Sequence, residues 1–268
     1  MTKDSNALPL PTSATQGRHH HLVSAHPPGW YERLRADLRR MSPSSGALGQ
    51  ALPAGRRRTL ARGTSIPPEL APDSATMEAC RLLRGNFPPD AHGSFAPLVV
   101  IAPAPGVACA LVAAGLAITL AEEGRKTLLV DADMRAPIMH TLFATEAGPG
   151  FADMLAGGAV EHGRVVSINE SLGVLPAGVP NFSPAVIFRR QRAAQVVSAL
   201  TGQYDAVIYH IAGNWTSPEL LALVPLIGTA LFIIRAGVET ADHIRRIKEP
   251  LARTGVRFLG FALIGDTQ

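Results

Sequence analysis

The groups best suited to chemistry in this chain are Asp131 and Asp133, two residues apart in TLLVDADMRAP, and the loop at residues 103–108. Two carboxylates at one strand end can hold a divalent ion, or can themselves be held by backbone N–H groups. The loop stands between an apolar run and an Ala- and Leu-rich segment, where a phosphate cradle belongs. Such a cradle uses glycines so that N–H groups converge on phosphate oxygens, a lysine that reaches the β and γ phosphates, and a Ser/Thr hydroxyl on Mg²⁺. Pro105, Gly106, Val107, Ala108, Cys109 and Ala110 supply only Gly106 of that set. Cys109 falls at a predicted helix start, which lowers a thiol pKa and makes it reactive; in so apolar a context it also reads as a small core residue. The triplet His19-His20-His21 has no neighbours at metal-ligand spacing.

These groups need a frame. Leu98 to Ala102 is a short apolar run bounded by Pro and Gly, so it reads as a buried strand. Residues 109–123 read as a helix that stops at Gly124. Thr127 to Val130 reads as a second strand delivering Asp131 and Asp133 to its C-terminal edge. Strand, tight loop, helix and strand make a βαβ unit with parallel strands, and ligands bind at the carboxyl ends of such strands. Residues 98–121 are uncharged and long enough for a membrane span. Pro103, Pro105 and Gly106 break that run after five residues, which favours strand and loop.

Composition sets the wider limits. The 268 residues, 47% hydrophobic and 17% charged, allow one α/β domain plus a tail. Two cysteines, Cys80 and Cys109, point to a reducing compartment without a disulfide framework. The first thirty residues lack the apolar core of a secretory signal. Residues 1–70 are rich in Pro, Ser and Arg and read as a disordered tail. Within it, residues 28–41 repeat Trp30, Leu34, Leu38 and Met41 at helical spacing with arginines opposite, a basic amphipathic helix or a transient one. The net charge of +4 is concentrated in that tail, which can touch anionic lipid, nucleic acid or an acidic partner, or stay solvated.

The domain is expected over residues 76–268. It opens with the helix TMEACRLLRGNF, in which Glu78, Arg81 and Arg84 fall three apart as an exposed salt-bridge ladder. Further strands are expected at Leu172–Leu175, Tyr204–His210, Ala230–Arg235 and Phe258–Ile264, with helices at 138–143, 150–155, 184–200, 220–226 and 239–254. This alternation predicts an α/β fold with a doubly wound, mostly parallel sheet flanked by helices.

The order of these motifs resembles the bacterial tyrosine kinase (BY-kinase) domains of exopolysaccharide chain-length machinery, relatives of the ParA/MinD P-loop ATPases. MEACRLLRGNF is similar to the family's E-x-x-R-x-x-R helix, and LLVDADMRAPIMH closely resembles its second acidic motif. LGVLPAG, YDAVIYHIAG, TALFIIRAGVET and FLGFALIG follow in the family's order. The resemblance implies a P-loop fold, with ATP and Mg²⁺ as cofactors and Asp131 and Asp133 serving the metal and the attacking hydroxyl. The departures point the other way. Ala108, Cys109 and Ala110 replace the family's glycine, lysine and hydroxyl, and His210 stands where it has an Asp. Triphosphate positioning is almost wholly electrostatic, so the missing lysine weighs heavily. Asp131, Asp133 and His210 then read as relic positions, with any metal on Asp131 and Asp133 weakly held. The sequence suggests pairing of His210 with Asp131 across neighbouring strand ends. His140 matches a family histidine and reads as structural. Tyr31 is the one tyrosine placed to accept phosphate, since Tyr204 and Tyr209 fall in a predicted core strand.

The expectation is a catalytically degenerate regulatory or scaffold subunit of exopolysaccharide biosynthesis and export, with no cofactor. Its partners would be a membrane-embedded polysaccharide co-polymerase or a homologous kinase, and no nucleic acid. In the family, Glu78, Arg81 and Arg84 carry self-association. A cytoplasmic location at the inner face of the plasma membrane follows, with peripheral contact through the tail. The alternatives are an active tyrosine kinase using ATP and Mg²⁺, and a ParA/MinD-like positioning factor tethered by the tail.

Overall fold

Short apolar runs alternating with helical segments assemble into a seven-stranded sheet with helices on both faces. The structure is a computed structural model that describes residues 66–87, 89, 95–103, 106–156, 164–178, 190–213, 218–235 and 249–264. The tail with residues 28–41 and Tyr31, Pro105, and the expected helical stretches at 184–189 and 239–248 lie outside the described residues.

The strands are β1 (Leu98–Ala102), β2 (Thr127–Asp131), β3 (Val166–Ser167), β4 (Leu172–Leu175), β5 (Ala206–Ala212), β6 (Thr229–Arg235) and β7 (Arg257–Ile264). Their order across the sheet is β3-β4-β2-β5-β1-β6-β7, and every pairing is parallel except β3 with β4. All residues of β1, β2 and β4 are buried, because helices cover both faces of a parallel sheet. The edge strand β3 was not anticipated; two residues are too few to show a period.

The described helices are α1 (Ala75–Arg84), α2 (Val107–Glu122), α3 (Met139–Leu142), α4 (Phe151–Leu155), α5 (Arg190–Thr201) and α6 (Pro218–Ile227), and residues 249–252, within the helix expected at 239–254, are helical too. One layer of core joins the sheet to α1, α2 and α3. The other joins it to α4, α5 and α6. Helix α2 is buried over nearly its whole circumference, which explains its lack of a polar stripe: the sheet covers one side, and α1 with Leu70 covers the other. It ends as expected at Gly124, whose φ of 77° suits a residue without Cβ.

Packing begins slightly ahead of the expected start at Thr76. Leu70, in a 3₁₀ turn at Pro68–Leu70, is 1% exposed. Ser74 caps α1, its Oγ accepting from Met77 N at 3.2 Å. Met77, Cys80 and Leu83 then face α2. Strand β5 begins at Ala206, so Tyr204 precedes it and is half-buried, while Tyr209 is fully buried as expected. Within residues 98–121, Leu98–Ala102 is strand and the residues from Val107 on are helix, and no described helix is long and apolar enough to cross a membrane.

Candidate functional site

The chemistry-bearing residues converge at the carboxyl ends of β1, β2 and β5. In β2, Leu129 faces the α2 layer, so by the two-residue period of a strand Asp131 faces it too. Ile208 and His210 follow the same rule in β5. The register pairs Asp131 directly with His210, and His210 with Val100 on the other side. Helix α2 starts above these ends and brings Cys109 down onto them. The Cys109 thiol is 2% exposed, with Sγ 3.8 Å from Val100 O and 3.9 Å from Ile211 O. It therefore points into the sheet edge, which supports the core reading of this residue over an accessible thiol.

Asp131 is fully buried, and four donors converge on its carboxylate. Oδ1 accepts from Asp133 N at 3.2 Å and lies 3.3 Å from His210 Nδ1. Oδ2 accepts from Ile138 N at 2.8 Å and Met139 N at 2.9 Å. Asp133 is 4% exposed; its Oδ1 accepts from Arg135 N (3.1 Å) and Ala136 N (3.0 Å), and its Oδ2 from Ala212 N (3.2 Å). The pair thus ties the loop after β2 to α3 and to the end of β5. The expected His210–Asp131 contact is present, in a setting that is 1% exposed for the imidazole.

The electrostatics follow from this burial. Desolvation pushes the Asp133 carboxyl upward, outweighing its main-chain donors and His210. Burial alone would lower the imidazole pKa of His210, but the Cys109 thiol and the Asp131 carboxylate overcome it and raise it to about 10. The imidazole Nε2 has no hydrogen-bond partner among the described residues.

The fold family implies Mg²⁺ and ATP, and the residues present do not fit them. Magnesium demands an octahedron of oxygens and keeps several waters. No surface of Asp131 is open to a hydrated ion, and both its oxygens are already taken by donors of the chain. At the loop, Gly106 has an extended φ of 165°, Val107 is 52% exposed, and Ala108, Cys109 and Ala110 offer neither ammonium nor hydroxyl. Among the described residues no group of three His, Cys, Asp or Glu side chains forms a metal site. A small apolar pocket lined by Arg84, Phe95, Leu116, Thr229 and Leu259 lies at the opposite, N-terminal edge of the strands.

The charged side chains of α1 are placed differently from the expected ladder. Arg81 does not pair with Glu78 but forks onto Glu122 at 3.1–3.3 Å and donates to Pro72 O at 2.8 Å. Arg84 pairs with Glu123 at 2.6 Å, donates to Phe87 O, and lies 4.6 Å over the Phe95 ring. Both arginines therefore fasten α1 to the C-terminal end of α2, where carboxylates gathered by the chain outcompete one a turn away. Glu78 stays exposed, beside Leu82 at 67% exposure. His140 is half-buried with Nε2 3.2 Å from Thr141 Oγ1.

Sequence reasoning missed the main-chain partners of the pair, Ile138 N, Met139 N and Ala212 N. For the first two a signal existed, since Pro137 just before a helical turn leaves the N–H groups that follow it available to a preceding carboxylate.

No protein-family model matches the chain. It is 30% identical over 204 residues to the putative tyrosine-protein kinase EpsB of Ralstonia nicotianae, an alignment covering 74% of this chain and 27% of that relative's length. The solved kinase domain of the Escherichia coli tyrosine kinase ETK superposes with a TM-score of 0.65 at 25% identity, over 78% of this chain and 82% of that one. The septum site-determining protein MinD of Pyrococcus horikoshii, solved with Mg-ADP, shares the fold at a TM-score of 0.53 and 21% identity, over 62% and 68% of the two chains. The chain is thus a homologue of the bacterial tyrosine-protein kinases, built on the P-loop fold that their kinase domains share with MinD-like ATPases.

Proposed function

We propose that this protein is a catalytically silent relative of the tyrosine kinases, acting as a regulatory or scaffold subunit in exopolysaccharide biosynthesis and export. One observation carries the reading: at the position of the phosphate-binding lysine stands Cys109, buried and turned toward Val100 O and Ile211 O. Phosphoryl transfer rests on cations aimed at the phosphates, and Gly106 to Ala110 supply none. Asp131, Asp133 and His210 then serve architecture. The partner is a membrane-embedded polysaccharide co-polymerase or a competent homologous kinase, met at the inner face of the plasma membrane. Binding runs through the exposed Glu78 side of α1, through the Arg-rich tail, or through both, and α1 also serves self-association.

The retained Asp131–Asp133 pair favours a second reading, an active kinase with an unusual loop. Calorimetric titration with Mg-ATP, combined with anti-phosphotyrosine detection on the purified protein, separates the two. The first reading expects neither signal at micromolar nucleotide; micromolar binding or phosphotyrosine overturns it. Co-purification with a co-polymerase, weakened by Glu78→Arg or by removal of the Arg-rich tail, is the positive arm.

A further inference from the structure

The carboxylate pair of this fold is associated with a divalent cation, yet here it is complete without one. We infer that His210 is a built-in replacement for that cation, a positioning residue whose imidazole satisfies Asp131 and holds the ends of β2 and β5 together without metal. The inference deepens the silent-site reading above and starts from geometry. Register places Asp131 opposite His210, and Nδ1 lies 3.3 Å from Oδ1. The remaining positions on that carboxylate go to Asp133 N, Ile138 N and Met139 N. An Asp at 210 would face Asp131 across adjacent strands with Asp133 nearby, three carboxylates in a buried space that need a cation or a retained proton to coexist. An imidazole there supplies a donor in place of a third acceptor. Nδ1 carries a hydrogen in the Nδ1–H tautomer and in the imidazolium alike, so it can donate to Asp131 in either form. Ala132 N, donating to His210 O at 2.9 Å, fixes the backbone beneath the side chain.

The test uses the full chain with Mg²⁺, Mn²⁺ and EDTA as probes and thermal unfolding as readout. Wild type is expected to melt at the same temperature, within about 1 °C, in magnesium chloride and in EDTA, and to bind no Mn²⁺ by electron paramagnetic resonance at millimolar metal. His210→Asp is expected to lower the melting temperature by about 10 °C in EDTA and to recover at least half of that in Mg²⁺. His210→Asn, which keeps an N–H at the same place, should lose only about 3 °C and stay indifferent to metal. Stabilisation of wild type by Mg²⁺ alone, or sub-millimolar Mn²⁺ binding, overturns the inference. So does a folded His210→Asp protein that ignores metal. Should that variant fail to fold in either buffer, wild type and His210→Asn decide, and metal-dependence in either counts against the idea. Binding of Mg-ATP without any response to Mg²⁺ alone would instead overturn the silent-site reading and leave this one standing.

Discussion

Replacing Asp131 by Ala separates a clamp from a catalytic relic, because the two roles predict opposite signs. Three main-chain N–H groups and one imidazole nitrogen end on that carboxylate, at 3.2, 2.8, 2.9 and 3.3 Å. Truncation leaves all four donors buried, each worth about 1–3 kcal/mol when orphaned. It also removes the partner of His210, whose side chain is 1% exposed. Relaxation and entry of water into the vacated space reduce the gross sum, and a net loss of about 4 kcal/mol is expected, comparable to breaking a buried ion pair. That is a large share of the roughly 5–15 kcal/mol that holds a typical domain folded. Urea unfolding followed by far-UV circular dichroism should show the midpoint falling by about 2 M, for a slope near 2 kcal/mol per molar. Asp131→Asn keeps one oxygen acceptor and should lose about half as much. Carboxylates crowded together for turnover usually cost stability, so removing one tends to leave the fold unchanged or more stable. An unaltered or raised midpoint in Asp131→Ala would refute the clamp.

Gly115→Ala, ordinarily a stabilising change inside a helix, should destabilise by about 1–3 kcal/mol here, since the new Cβ runs into Cys80 Sγ and sits 3.2 Å from Cys80 Cβ. A double-mutant cycle with Cys80→Ala should recover most of that loss, and additivity would show that α1 does not dock as described. Arg81→Ala should cost under about 1 kcal/mol, its ion pair being 39% and 41% exposed, whereas Arg84→Ala should cost about 1–2 kcal/mol because the better-buried guanidinium also covers Phe95; denaturant midpoints rank the two. With the folded His210 pKa raised to about 10 from an ordinary 6.5, protonation favours the folded state. That contribution is complete below about pH 6.5 and fades as pH rises toward 10, so the urea midpoint should fall across this window in wild type and much less in His210→Asn. Cys109→Lys with Ala110→Ser should not create micromolar Mg-ATP binding, because position 109 faces Val100 O and Ile211 O and Ala108 and His210 remain; tight binding by calorimetry would disprove the structural account of the loop.

The sequence by itself determined the elements and their order. Apolar runs of four to seven residues between Gly and Pro punctuation can only be buried strands once long helices separate them, and Gly124 marked where α2 stops. It also showed that Ala108-Cys109-Ala110 themselves carry neither an ammonium nor a hydroxyl. The boundaries it misplaced, at Leu70 and Tyr204, and the strand β3 that it missed, are places where burial depends on what packs from elsewhere in the chain. Tertiary structure decided the other partners. Glu78, Arg81 and Arg84 read as a local ladder at helical spacing, yet Glu122 and Glu123 lie 41 and 39 residues from Arg81 and Arg84, and only the docking of α1 on α2 brings them close. The sequence suggested that His210 meets Asp131; that the same carboxylate is filled by Ile138 N and Met139 N follows from the chain folding back after β2. A carboxylate looks alike in sequence whether it awaits a metal or is already satisfied, and the geometry of its neighbours decides which.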